Sequence, residues 1–251
     1  MVVVAGEERE AGPSPGTGDA VQVEEEEGGD ADVAKDDDDD EKGEEDSCDE
    51  WKRMVAYDIE TTGLQRQRDS ITVVCVFGYR CGKEGRVFNF LRPETFDRNR
   101  DDLLRVLDDA PRLASFNGVR FDAPFIQSFF GVEDARVGAW IQKTFDVWEI
   151  CKTMLRLTFS MQKLLEVNGF QTGKLGSGLQ AIEWAKHEST WPLLEKYCLE
   201  DARLTYAVSS QAEINLPLGY REQGLPDEVA KFMSTYKIVK KQGGQFQINI
   251  M

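Results

Sequence analysis

The sequence predicts an α/β fold in which helices flank a mixed sheet. Three apolar runs with short links, between residues 52 and 91, predict an antiparallel meander of strands. Helical spacing dominates from residue 101 onward, interrupted by a short apolar run at 112–116 that predicts a further strand. Strands first and helices later, joined by a helix-strand crossover, are typical of an α/β sandwich around such a sheet.

The strands of the meander are bounded by turn signals. The apolar-rich run from Lys52 to Glu60 leads into Thr61-Thr62-Gly63, which is the pattern of a strand that enters a turn. The run Ile71 to Phe77 predicts a second, largely buried strand, and Arg86 to Leu91 predicts a third. Glycines between residues 82 and 85 supply the turn that joins the second strand to the third.

The helices follow from apolar spacing and start signals. Asp101 to Asp109 carries leucines at helical spacing, and Ser160 begins a segment whose apolar residues share one face. Leu179 to Lys186 predicts another helix. A long helix is predicted from Pro192 to roughly Ile214, because proline suits the first turn of a helix.

Charge divides the chain into segments. Residues 1–50 contain 21 acidic and three basic side chains and carry −18, whereas the other 201 residues, with 27 basic and 25 acidic ones, carry +2. Self-repulsion and chain entropy prevent so acidic a segment from forming a core. We therefore expect a disordered acidic tail at 1–50, a folded domain at 51–215, and a C-terminal extension at 216–251 that contains a strand-like alternation.

Two roles for the acidic tail remain open at the level of sequence. It could be a solubilising extension without a specific partner. Alternatively, it could compete with a polyanion for the binding groove of the domain, or bind a basic protein partner. If the tail binds basic proteins, the folded domain could serve only as an adaptor for them.

Composition also predicts the cellular setting. No apolar run approaches the roughly 20 residues of a membrane-spanning helix, and residues 1–6 lack the basic start of a secretory signal. The five cysteines form no CxxC pair, which indicates a reduced environment. We therefore expect an intracellular protein, cytoplasmic or nuclear, without a membrane partner.

A lone histidine limits the possible mechanisms. His187 is the only one in the chain, and it lies in the polar stretch AKHES, which is typical of an exposed helix end. Mechanisms that need two histidines are excluded, and a zinc site of thiolates and imidazoles would need closer spacing of its ligands.

Carboxylates occur where the first strand should be buried. Asp58 and Glu60 are two residues apart on this strand and therefore point to the same face, while Ile59 points to the other. Two like charges this close repel each other unless a cation lies between them. A D-x-E pair alone is a weak signal in a chain with 46 acidic residues.

Two further acidic residues also occur where the local pattern predicts apolar burial. Asp122 opens the apolar segment Ala123 to Ile126, where it could equally be an N-cap in front of Pro124. Tyr197 and Asp201 are four residues apart and share the core-facing stripe of the long helix. A carboxylate on such a stripe needs a basic residue or a metal as its partner.

Taken together, these residues form three ordered motifs. Asp58 and Glu60 lie in YDIETTGL, Asp122 lies in NGVRFD, and Asp201 lies in YCLED. This arrangement resembles the 3′-to-5′ exonucleases with a ribonuclease-H-like fold, whose four acidic residues come in three motifs in this order. The resemblance covers about Met54 to Ser210.

The third motif indicates a branch of this family. Tyr197, four residues before Asp201, matches the Y-x-x-x-D form, and Lys196 stands where the histidine form would need its histidine. The chain therefore resembles the DEDDy branch. It is most similar to stand-alone predicted exonucleases related to the proofreading domain of family B DNA polymerases, sometimes called YprB-like.

The resemblance implies a site for two divalent cations, Mg²⁺ or Mn²⁺, which oxygen ligands suit. Asp58 would bridge both cations, Glu60 and Asp201 would complete the site of the water-activating metal, and Asp122 would act on the second metal through water. Tyr197 would orient the attacking water, because a pKa near ~10 makes it a poor base at neutral pH. The alternative for Tyr197 is a core tyrosine on an amphipathic helix.

Residues that bind the substrate are implied beside the first two motifs. Thr61, Thr62 and Leu64 would meet the terminal nucleotide, although Leu64 could instead be a buried leucine. Asn117 and Phe121 are similarly placed beside the second motif.

A glycine-rich segment at residues 172–178 offers a further contact with the substrate. Lys174 within it could contact a phosphate or be a solvated lysine in a link, since the segment lacks the spacing of a P-loop.

The expected activity is metal-dependent hydrolysis that releases 5′-mononucleotides from the 3′ end of single-stranded DNA or RNA. A domain charge of only +2 suits an enzyme that grips a few nucleotides of a single strand. The alternative is a nucleic-acid-binding or scaffold protein that kept the fold and lost turnover.

Overall fold

The computed structural model describes residues 51–171, 176–217, 220–221, 236–241 and 244–250. In this part of the chain, the main sheet has five strands in the order β3-β2-β1-β4-β5. Its strands are β1 (Met54–Thr61), β2 (Ile71–Gly78), β3 (Arg86–Asn89), β4 (Arg112–Ser115) and β5 (Thr144–Asp146).

The pairing of these strands makes the sheet mixed. β2 pairs antiparallel with both β1 and β3, with Asp58 opposite Cys75 and Val74 opposite Phe88. β4 lies parallel to β1 and to β5. The predicted antiparallel meander and the mixed sheet are therefore confirmed.

Parallel pairing aligns the ends of β1, β4 and β5, so the sheet has two distinct edges. We call the edge where these three strands end the carboxyl edge; Glu60, Ser115 and Asp146 lie there. We call the edge where they begin the amino edge, and it includes Arg112 and Thr144. Functional side chains of parallel sheets usually gather at the carboxyl ends of the strands.

The α-helices of the described residues lie on both faces of this sheet. They are α1 (Phe96–Asp109), α2 (Asp122–Phe130), α3 (Asp134–Gln142), α4 (Val147–Ile150), α5 (Met161–Val167), α6 (Gly178–Ala185) and α7 (Trp191–Ser209). A short π-helical turn, Cys151–Leu155, follows α4.

Alternation along β1 decides which helices each side chain meets. Val55, Tyr57 and Ile59 pack into one buried cluster with residues of α1, α2 and α3. Met54 and Ala56 point the other way and pack with residues of α5 and α7. Asp58 and Glu60 have the same parity as Met54, so the strand directs both carboxylates to the face that α7 covers.

The chain after α7 forms small additional sheets. β7 (Glu213–Asn215), β9 (Tyr236–Lys240) and β10 (Phe246–Ile250) pair antiparallel in the order β10-β9-β7, and β6 (Leu157–Thr158) pairs with β8 (Tyr220–Arg221). Phe246 packs its ring 5.9 Å from that of Phe145, and Trp51 Nε1 donates to the Lys241 carbonyl at 3.1 Å. The alternation at 245–250 thus forms a strand that pairs within the chain.

The structure corrects several predicted boundaries. The long helix ends at Ser209, and Ile214 is instead a fully buried residue of β7 opposite Ile238. This pairing joins residues far apart in sequence, so local helical spacing could not predict it. The α1 helix begins at Phe96 instead of Asp101, and α3 and β5 are elements that the sequence patterns did not separate.

Candidate metal centre

The first two carboxylates lie near the end of β1. Asp58 is half-buried and Glu60 is 8% exposed, while Ile59 between them packs on the opposite face of the sheet. Behind Asp58, the Cys198 thiol donates to the Asp58 carbonyl at 3.4 Å. This contact ties α7 to the strand at the level of the two carboxylates.

The helix α7 brings a third carboxylate to the same place. Its core-facing stripe includes the buried residues Leu194, Leu204 and Val208, which hold this side of the helix against the sheet. Tyr197 and Asp201 lie on this stripe, and the Tyr197 hydroxyl is hydrogen-bonded to the Asp201 side chain.

Three carboxylates converge at the carboxyl edge. Asp58, Glu60 and Asp201 each offer a ligand oxygen, and these oxygens all lie within 4.8 Å of one another. Oxygens at this spacing can share a divalent cation that takes carboxylate and water ligands. The donor set therefore fits Mg²⁺ or Mn²⁺ better than a metal that prefers thiolate or imidazole.

The fourth predicted carboxylate reaches the site from α2. Asp122 is the first residue of this helix, and its Oδ1 accepts a hydrogen bond from the Ile59 backbone N–H at 3.1 Å. Ile59 separates Asp58 from Glu60, so Asp122 is held beside both. The alternative interpretation of Asp122 as an N-cap is wrong, because Phe121 occupies that position without a side-chain capping bond.

Electrostatics at the site favour a cation. Burial, and then repulsion from Asp201 and Asp122, raises the pKa of Glu60 to about 9. Burial and the neighbouring carboxylates hold the pKa of Asp58 well above its usual range. Burial raises the pKa of Asp122 to about 7 although the Ile59 N–H offsets part of the effect. A bound cation would relieve this repulsion.

Tyr197 has no tendency to ionise in this setting. Burial, and then the charges of Asp201 and Glu60, raises its pKa above the ordinary tyrosine value. Its hydroxyl therefore stays protonated and can donate a hydrogen bond but cannot act as a base. The ring lies edge-on to Trp184, with 5.9 Å between the ring centroids.

The residues after the first motif form a compact loop. The Thr61 hydroxyl donates to the Gly63 carbonyl, and the Thr62 N–H donates to the Ser70 carbonyl at 2.9 Å. Leu64 projects from this loop and is 77% exposed, so the alternative of a buried leucine is wrong.

The other predicted substrate residues have different outcomes. Asn117 adopts a left-handed conformation with φ of 67°, in the turn before α2. Phe121 is half-buried, with its ring 5.4 Å from that of Phe125. Lys174 lies outside the described residues.

His187 is exposed after the end of α6, as its polar surroundings predicted.

One buried carboxylate at the same edge escaped the sequence analysis. Asp146 ends β5, is 2% exposed and lies close enough to Asp122 to raise the pKa of that residue. The signal was an acidic residue that directly follows the apolar Phe145. A strand of three residues is too short for a reliable alternation pattern.

In the described part of the chain, every helix is too short or too polar to cross a membrane.

Comparison with known proteins gives a family match. The model of the RNase_H superfamily matches residues 55–211, which include Asp58, Glu60, Asp122, Tyr197 and Asp201. A search of curated protein sequences gives no match.

Several solved structures are similar to this chain. The family B DNA polymerase from the hyperthermophilic archaeon Pyrobaculum calidifontis is 19% identical, with a TM-score of 0.48, and the match covers 62% of this chain and 25% of the polymerase. A structure described as the apo form of a nuclease is 21% identical, with a TM-score of 0.42 and coverage of 64% and 71%. E. coli Exonuclease I with a dA16 oligonucleotide is 13% identical, with a TM-score of 0.37 and coverage of 57% and 42%.

Proposed function

Because this chain belongs to the RNase H superfamily, we propose that it is a metal-dependent 3′-to-5′ exonuclease that releases 5′-mononucleotides from single-stranded nucleic acid. The observation that carries the proposal is the convergence of Asp58, Glu60 and Asp201, whose ligand oxygens lie within 4.8 Å of one another. Their order along the chain, with Asp122 between them and Tyr197 before the last, supports the DEDDy branch and its YprB-like members.

The four carboxylates would hold two divalent cations, Mg²⁺ or Mn²⁺. In this proposal Asp58 would serve both, Glu60 and Asp201 would complete one site, and Asp122 would act on the other through water; the proximity of the first three and the bond from Ile59 to Asp122 support it. When bound, such cations supply Lewis acidity to the attacking water and charge stabilisation to the departing oxygen. Raised pKa values at Asp58 and Glu60 imply that protons and cations compete for these oxygens.

Tyr197 would orient the attacking water. Its hydroxyl is hydrogen-bonded to Asp201, and its raised pKa keeps it protonated at neutral pH. A fixed hydroxyl donor or acceptor beside a carboxylate can align a water molecule without removing its proton.

The substrate would lie across the loop that follows β1. Leu64 presents an exposed apolar surface on which a terminal base could stack, and Thr61 and Thr62 hold the backbone of this loop. Asn117 and Phe121 would border the second motif, and Lys174 would contact a phosphate. The proposed substrate is the 3′ end of single-stranded DNA or RNA.

We assign the nuclease domain to residues 51–215, with an acidic tail at 1–50 and an extension at 216–251. The tail, with its charge of −18, would compete with nucleic acid or bind a basic partner. An intracellular setting, cytoplasmic or nuclear, fits such a substrate.

The deciding experiment is a time course with 5′-labelled single-stranded DNA and RNA. Each substrate is incubated with Mn²⁺, with Mg²⁺ and with EDTA, and wild type is compared with Asp58→Asn. We expect a ladder that shortens from the 3′ end in the presence of metal and disappears in EDTA and in Asp58→Asn. A 3′-labelled substrate should release its label at the first step.

Asp108→Asn is the matched control, because Asp108 accepts hydrogen bonds from Arg136 and Trp140 at the amino edge of the sheet. This variant should retain activity. No shortening by folded, Mn²⁺-bound wild type would contradict the proposal and favour a silent binding protein on the same fold. Cleavage that persists in Asp58→Asn would indicate a contaminating nuclease.

A further inference from the structure

Asp146 is a buried carboxylate whose four hydrogen bonds all come from neighbouring chain segments. Its Oδ2 accepts from Ser115 Oγ at 2.9 Å and from the Val119 N–H at 3.0 Å. Its Oδ1 accepts from the Asn117 N–H at 2.9 Å and from the Glu149 N–H at 3.0 Å. A carboxylate that fills both oxygens in this way holds its donors in one arrangement.

Two of these donors belong to the turn that precedes Asp122. Asn117 in this turn has a φ of 67°, a conformation that costs energy in a residue other than glycine. Gly118 fits so tightly that an added Cβ would lie 2.6 Å from Ser115 Cβ and 3.2 Å from Asp122 Oδ2. The hydrogen bonds to Asp146 therefore fix a turn that is packed directly against the Asp122 carboxylate.

The turn also connects to β1. The Ala123 N–H donates to the Gly118 carbonyl at 2.9 Å, which starts α2 from the turn. At the other end, Asp122 accepts the hydrogen bond from Ile59 between the two carboxylates of the first motif. A continuous path of short contacts thus leads from Asp146, through the turn and Asp122, to the candidate metal centre.

A second branch of the network starts at Ser115, whose hydroxyl donates to Asp146 Oδ2. The same Ser115 also lies beside the hydroxyl of Tyr57. Tyr57 is 3% exposed and immediately precedes Asp58 on β1. The backbone hydrogen bonds of Asp146, in contrast, run to the turn before α2 and to Glu149, so its direct support goes to the second motif.

We propose that Asp146 is a positioning residue: by fixing the turn Asn117 to Val119 it sets the place of Asp122 relative to Asp58 and Glu60. The proposal rests on the proposed function, since the geometry that it protects is that of the cation site. A residue that only stabilised the fold would affect the melting temperature but not the properties of the folded protein.

The test compares Asp146→Asn and Asp146→Ala with Asp108→Asn in the full chain. Asparagine keeps the shape of the side chain but places one NH₂ group against a backbone N–H of the network, whereas alanine removes all four acceptor contacts. For the folded protein, we expect Asp146→Asn to lower kcat and Mn²⁺ affinity, each by about 10- to 100-fold. The KM for the oligonucleotide should change little, and Asp108→Asn should lower only the melting temperature.

A double-mutant cycle shows whether Asp146 acts through Asp122. In the background of Asp122→Asn, the further change Asp146→Asn should have little additional effect on Mn²⁺ affinity, because the carboxylate that it positions is already lost. Ser115→Ala removes one of the four donors and should give a smaller loss, which keeps the test available if Asp146→Ala fails to fold. Full additivity in the cycle would overturn the proposal.

Mn²⁺ affinity, measured by calorimetry or by electron paramagnetic resonance, does not depend on nuclease activity. If wild type binds Mn²⁺ but degrades no nucleic acid, the proposed function fails while the role of Asp146 is still tested. If Asp146→Asn is less stable yet binds Mn²⁺ as tightly as wild type, Asp146 serves only the fold and the inference is wrong.

Discussion

At the amino edge of the main sheet the carboxylate of Asp108 faces donors, whereas at the carboxyl edge Asp58 and Glu60 face other carboxylates. Asp108 accepts from Arg136 and Trp140, and these hydrogen bonds outweigh partial burial and lower its pKa. Burial and repulsion raise the pKa of Glu60 to about 9. Hydrogen-bond donors thus compensate the carboxylate at the amino edge, whereas Asp58 and Glu60 at the carboxyl edge are repelled by neighbouring carboxylates.

Under the proposed function, this difference separates carboxylates that serve the fold from carboxylates that bind metal. Where the chain supplies its own donors, as at Asp108, the charge needs nothing further and serves the fold. At Asp58 and Glu60, burial and neighbouring carboxylates raise the pKa values. Holding these groups together costs folding free energy, and an added cation can reverse that cost. Asp146 is an intermediate case, a fully hydrogen-bonded carboxylate beside the frustrated ones.

The largest effect should come from Glu60→Gln. Removing this carboxylate should reduce exonuclease activity by more than about 100-fold, since changes outside the metal ligands alone typically cost 10- to 100-fold. In EDTA at pH 7, the folded wild type must hold Glu60 protonated whereas the unfolded chain releases that proton, so the neutral glutamine should raise the melting temperature, by about 2–4 °C for each kcal/mol of this cost that is avoided.

Asp108→Asn should behave in the opposite way, with normal activity and a stability lower by about 1 kcal/mol. Both properties are measured by oligonucleotide cleavage and by thermal melting in EDTA. A Glu60→Gln variant that loses stability in EDTA would break the distinction between the two edges.

The pH dependence of stability provides a further test of the difference between the two edges. In the metal-free protein Glu60 binds its proton up to about pH 9, whereas the unfolded residue releases it near the ordinary value of 4.5. Its contribution to stability is therefore complete below about pH 4.5 and is lost progressively as the pH rises through about 9. We expect the melting temperature in EDTA to fall across this window.

Saturating Mn²⁺ should stabilise the protein most at the upper end of that window, because the cation replaces the protons. Melting curves of wild type and Glu60→Gln at several pH values provide the measurement. Equal pH profiles for the two proteins in EDTA would mean that Glu60 is not the group that titrates.

Much of this site was predictable because its signals are local. Period-two alternation placed Asp58 and Glu60 together, and four-residue spacing placed Tyr197 over Asp201. The hydrogen bond from Ile59 to Asp122 spans 63 residues, and the bonds to Asp146 join two strands with a turn. Such contacts depend on the assembled sheet, as does the early end of α7, so no window of sequence could reveal them.

A smaller effect is expected within α7, which carries one tyrosine to each edge. Tyr197 is bonded to Asp201 at the carboxyl edge, and the Tyr206 hydroxyl donates to the Lys52 carbonyl at the amino edge, at 3.4 Å. Tyr197→Phe should lower kcat about tenfold, the loss of roughly one hydrogen bond to an oriented water. Tyr206→Phe should leave kcat unchanged, and equal kcat values for both variants would remove Tyr197 from the mechanism.

The smallest effect should follow from Leu64→Ala, in the loop beyond the carboxyl edge. Because Leu64 is 77% exposed, its truncation should not lower the melting temperature, whereas loss of a stacking surface should raise KM about three- to tenfold. Val167→Ala, at a 44% exposed position on α5, is the matched control and should change neither quantity. A lower melting temperature with an unchanged KM would show that Leu64 supports the loop instead of the substrate, and the apolar contact with the terminal nucleotide would then have to come from another residue.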